Sequence, residues 1–166
     1  MAKVSVSGPT PTISAPMIVA SPVNALLKSP SVSADTSGWL VAWMEEAGGA
    51  GRVLSKRIPF SSTSIDAIES LPVSSGGDGQ LRRDVVASFD GKQTILAWIE
   101  GPFFSSRVFA TIFADGSAIP SVEPFLVDRS FSVKESLSIG TDKATGSLMV
   151  WASYSGTLLS DVRGKL

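Results

Sequence analysis

The chain contains no cysteine, no histidine and a single tyrosine, and only 17% of its residues are charged. Without cysteine there is no disulfide framework, no thiol nucleophile and no thiolate zinc site. Without histidine, the side chain that most often serves as general base or metal ligand is missing, and so is any Ser-His dyad. A net charge of −1 argues against nucleic acid or an anionic membrane surface as partner. No apolar run approaches the roughly 20 residues of a membrane helix. The opening stretch Met1-Ala2-Lys3-Val4-Ser5-Val6-Ser7-Gly8-Pro9 lacks the pattern of a signal peptide. What remains is 166 residues with 43% hydrophobic content, enough for one domain with a real core.

A repeat organises that content. Trp39-Leu40-Val41-Ala42-Trp43, Ile95-Leu96-Ala97-Trp98 and Leu148-Met149-Val150-Trp151 place Trp43, Trp98 and Trp151 at spacings of 55 and 53 residues. Each segment follows an Asp- and Gly-containing turn, at Asp35–Gly38, Asp90–Lys92 and Asp142–Gly146. Asp caps its own backbone two residues on, and Gly supplies positive φ. A short strand-like run precedes each turn: Ser31–Ala34, Val85–Phe89 and Ser136–Ile139. A third strand is expected at Arg52–Ile58, Arg107–Phe113 and Thr157–Val162. A Pro-containing fourth is expected at Ile68–Val73 and Val122–Val127, with its counterpart for the third unit at Ser14–Val19, near the N-terminus.

With the strands of a unit named A to D, the chain reads D, ABCD, ABCD, ABC. The expected organisation is a tail over 1–11, an outer D strand over 12–20, and units over 28–73, 81–127 and 133–166. The B strands are apolar on both faces: Ile95, Ala97 and Ile99 alternate with Leu96 and Trp98. Small antiparallel sheets buried on both faces and repeated about every 54 residues describe an all-β fold of three four-stranded propeller blades stacked face to face. Three blades fall short of the usual four to eight. The D-first, C-last order therefore predicts a homo-oligomer, two chains closing a six-bladed ring through the N-terminal strand and the last blade.

The succession Asp90-Gly91, Ala97-Trp98-Ile99-Glu100, Arg107-Val108-Phe109-Ala110 and Ala114-Asp115-Gly116 resembles a β-propeller repeat of bacterial extracellular and surface proteins. The first unit keeps Trp43 and Glu45 but lacks Asp-Gly after its C strand, and the third has Ser153 in place of the acid. The resemblance implies the propeller fold and carries no activity with it.

Candidate sites are few. Trp43, Trp98 and Trp151 sit mid-strand and are expected in the core, whereas Trp39 begins its strand and is the candidate exposed platform. Asp35, Asp90 and Asp142 offer one carboxylate per turn, too few for calcium, so no metal and no cofactor is expected. Glu45 and Glu100 occupy equivalent positions and would share an environment, unlike a catalytic acid/base pair. Gly101-Pro102-Phe103-Phe104-Ser105-Ser106-Arg107 is the most distinctive loop, with Phe103, Phe104 and Arg107 as candidate contacts for a sugar or a protein. Arg82 and Arg83 enter an A strand and are candidates for an anion site on the central channel. The composite expectation is a non-catalytic, self-assembling propeller that binds or builds, outside a cell or in a virion. A lectin-like module and a phage structural protein are the variants, and a glycosidase is the least supported alternative.

Overall fold

The structure, a computed structural model, describes residues 4–6, 11–13, 16–65, 68–74, 80–142, 146–154 and 160–165. Among these residues all regular structure is antiparallel β apart from one 3-10 turn. The strands are β1 (Val4–Val6), β2 (Pro11–Ile13), β3 (Leu26–Ala34), β4 (Gly38–Ala47), β5 (Ala50–Pro59) and β6 (Leu71–Pro72). They continue with β7 (Arg82–Phe89), β8 (Gln93–Glu100), β9 (Ser106–Ala114), β10 (Val122–Thr141), β11 (Ser147–Tyr154) and β12 (Ser160–Lys165). β1 pairs with β2, β3 to β6 form a four-stranded sheet in chain order, and β7 to β12 form a ladder of six.

That ladder divides at β10. Val122 to Ser132 pair with β9, whereas Val133 to Thr141 pair with β11. One strand of twenty residues therefore ends a second sheet (β7, β8, β9, β10) and begins a third (β10, β11, β12). The expected break between residues 127 and 133 is absent.

The Asp turns form as their chemistry dictates. Asp35 accepts from the amides of Ser37 and Gly38, and Asp90 from those of Lys92 and Gln93. Asp142 accepts from the Gly146 amide, while residues 143–145 of that expected turn lie outside the described residues. Each first strand also carries a bulge around a non-glycine residue at positive φ: Ser29 (49°), Asp84 (52°) and Ser136 (57°). Their spacing repeats that of the tryptophans to within a residue.

Two interfaces hold the three sheets together. Between the first and second, Leu40, Ala42, Met44, Val53 and Val73 pack against Val85, Leu96, Trp98 and Phe113. Between the second and third, Ala97, Ile99, Val108, Ala110 and Val127 pack against Leu137, Met149 and Trp151. A third cluster lies on the remaining face of the first sheet, where Val41, Trp43, Leu54 and Ile58 meet Met17, Val19 and Ala20. The Lys56 Nζ donates to the Val19 carbonyl at 2.9 Å and ties that segment to the face.

At the two ends of the chain the strands also differ from expectation. Of the expected outer strand over 12–20, residues 12 and 13 pair with β1, residues 16–20 carry no strand assignment, and residues 14 and 15 lie outside the described residues. The expected tail likewise contains a two-stranded ladder, Val4 opposite Ile13. The described part of the last strand, Ser160–Lys165, runs three residues past the expected end at Val162, and in it Asp161 stands opposite Ser153 as Arg52 stands opposite Glu45 and Arg107 opposite Glu100. Residues 157–159, expected as its start, lie outside the described residues.

Candidate binding surfaces

The aromatic loop is built by a glycine. Gly101 has φ 112°, and a Cβ there would stand 2.9 Å from the Ser105 carbonyl oxygen, so the sharp exit from β8 excludes any side chain. Pro102 then leads into a 3-10 turn, Phe103–Ser105, closed by the Ser105 amide on the Pro102 carbonyl. The turn presents the Phe103 and Phe104 rings edge to face at 5.2 Å, with Phe104 81% exposed. Arg83 lies over Phe103, 5.5 Å from its ring centre.

Arg82 and Arg83 are separated by the strand that carries them. Side chains of neighbouring residues leave a strand on opposite faces. Arg82 is buried, donating to the Gly51 carbonyl of the first sheet and to the Glu100 carboxylate, on which the Trp98 indole also converges. Arg83 turns the other way and donates to the Lys134 carbonyl and the Ser106 hydroxyl. Arg107 is half-buried and stands opposite Glu100 in the ladder. Trp39 lies apart, half-buried and edge-on to Phe60 at 5.4 Å. The structure thus brings Phe103, Phe104 and Arg83 together, and engages Arg82 within the fold. Glu45 and Glu100 do not share partners: Glu45 binds Arg52.

Lys134 stands out among the residues that the sequence analysis passed over. It is fully buried, and its ammonium donates to the carbonyls of Ser106 and Ser130 at 2.9 and 2.6 Å and to the Ser132 hydroxyl at 3.0 Å, with Asp128 at 3.4 Å. Burial lowers its pKa, and attraction to Asp128 offsets part of that. Asp128 itself is held below the usual carboxylate range: burial opposes its ionisation, but two bonds from Ser130 together with the Lys134 ammonium outweigh that. Asp35 is the strongest such case. Burial again opposes ionisation, yet Arg57 and the Ser37 and Gly116 amides together bring the carboxyl to about 2.

A further open surface is apolar. Beside Trp43 lies an open pocket of about 590 Å3, whose lining includes Ile18, Val19, Leu27, Val32 and Val41. The Trp43 indole N–H is buried without a hydrogen-bond partner. No family model, no curated protein and no solved structure matches the chain.

Proposed function

We propose that the three sheets are blades of a β-propeller, that two copies of the chain complete a closed ring, and that the assembly is a non-catalytic binding or structural module. One observation carries this reading. Leu148, Val150, Ala152 and Val162 of the third sheet stand where Leu40, Ala42, Met44 and Val53 stand in the first. In the first sheet Leu40 and Val53 are 1% and 0% exposed, whereas Leu148 and Val162 are 44% and 82% exposed. In the two internal interfaces this face receives the tryptophan of the following sheet. The tryptophan without a preceding sheet is Trp43, beside the pocket. Each apolar side chain covered at such a seam contributes about 1.5–3 kcal/mol, and exposed patches of this kind drive association.

Light scattering tests it: a solution mass of twice the 17.3 kDa chain is expected. Val162→Asp should reduce that to a single chain without loss of fold, since the residue is exposed within one copy. A wild-type chain that remains single at micromolar concentration overturns the reading.

The Phe103–Phe104 pair supports a second, lectin-like reading, in which the exposed ring stacks on a sugar and recurs around the ring to give avidity. A glycan array that shows binding by the wild-type chain and none by Phe104→Ala tests it.

A further inference from the structure

Resting on the self-association just proposed, we infer that the segment around Ile18 and Val19 of one copy forms the fourth strand of the last sheet of the second copy, antiparallel along the outer edge of β12. β12 is the terminal strand of its ladder, paired with β11 alone among the described residues. Such an edge is a template for another chain.

Three positions show where the added strand belongs. Val73 packs with Val53 beside Trp98, and Val127 packs with Val108 beside Trp151. Val19 already packs beside Trp43, although among the described residues no strand lies next to it as β5 lies next to Val73. The segment therefore occupies a fourth-strand position on the first sheet's face before its own sheet has arrived. The residue that would stand with Val19, as Val53 stands with Val73, is Val162, the counterpart of Val53 and Val108. Val162 is also the most exposed apolar side chain of its sheet among the described residues.

The register follows from the same counterparts. Pro72 stands opposite Leu54, and Leu126 opposite Phe109. Leu54 and Phe109 stand in turn opposite Trp43 and Trp98, and the residue opposite Trp151 is Arg163. Ile18 precedes Val19 as Pro72 precedes Val73, so Ile18 falls opposite Arg163 and Val19 opposite Val162. The Val73 amide donates to the Val53 carbonyl at 2.9 Å, so the Val19 amide should donate to the Val162 carbonyl. Position 18, like Pro72, needs no donor.

The cysteine-free sequence makes the test unambiguous. Ile18 and Arg163 would form a non-hydrogen-bonded antiparallel pair, whose spacing a disulfide can span. Full-length chains carrying Ile18→Cys and Arg163→Cys are refolded together and oxidised. A disulfide-linked pair of chains is expected from the mixture and from neither variant alone. Val19→Pro should abolish association while Ile18→Pro leaves it intact. If the wild-type mass is doubled but no cross-link forms and Val19→Pro still associates, the strand exchange is overturned and the self-association stands. If the chain carrying both cysteines closes a disulfide within one copy, the exchange is also overturned. A wild-type chain of single mass removes both.

Discussion

Lys134 stands in the third sheet where Arg82 stands in the second. Lys134 lies opposite Ser153 and Arg82 opposite Glu100, each two residues past the strand's tryptophan. Arg82 donates to the Gly51 carbonyl and Lys134 to the Ser106 carbonyl, and these are the corresponding positions at the starts of β5 and β9. A buried cation thus fastens each of the two internal interfaces by the same main-chain contact. The corresponding residue of the first sheet is Leu27, which is 40% exposed.

Removing either cation should therefore loosen one interface. Arg82→Ala removes the cation from Glu100 and from the Gly51 carbonyl, and Lys134→Ala removes it from the Ser106 and Ser130 carbonyls. Breaking a buried pair on one side costs about 3–5 kcal/mol. Urea unfolding should show that loss for both variants, against a change within about 0.5 kcal/mol for the exposed Lys92→Ala.

Gly101→Ala should destabilise the aromatic turn twice over, through its φ of 112° and through contact with the Ser105 carbonyl. A cost of about 1–3 kcal/mol is expected, read as a lowered Tm. Gly48→Ala, also at positive φ but with open space around it, should cost less.

Phe104 and Arg83 should separate surface from scaffold. Phe104→Ala should leave Tm nearly unchanged, because the ring is exposed. Arg83→Ala removes bonds to Ser106 and Lys134 and should lower stability by about 1–3 kcal/mol. Thermal melts of the two variants check this.

Asp35 gives the fold an acid limit. Its carboxyl titrates at about 2 in the fold against 3.8 for the ordinary side chain. The folded state thus favours the ionised form, so this stabilisation is complete above about pH 4 and is lost as pH falls toward 2. At about 1.4 kcal/mol per unit, the amount is on the order of 2 kcal/mol. Unfolding free energy measured between pH 5 and pH 2 should fall in the wild type and fall less in Asp35→Asn, which starts lower.

The repeat was legible because its signals are local. Trp43, Trp98 and Trp151 mark the middle strand of each sheet, and Asp35 and Asp90 cap their turns as expected. β10 was read as two strands because Asp128-Arg129-Ser130 is polar and resembles a loop; in the fold Asp128 instead closes on Ser130 and Lys134. The buried cations were hidden by their charge, which by itself marks a solvated residue. The bulges at Ser29, Asp84 and Ser136 lack the glycine that announces positive φ, although aligning them would have set Arg82 beside Lys134.

β10 also bears on how the molecule opens. The second and third sheets share one continuous strand, whereas the first reaches the second through residues 73–81. Cooperative opening units tend to coincide with contiguous supersecondary motifs. Native-state hydrogen exchange is therefore expected to show the second and third sheets opening together and the first sheet at a separate free energy.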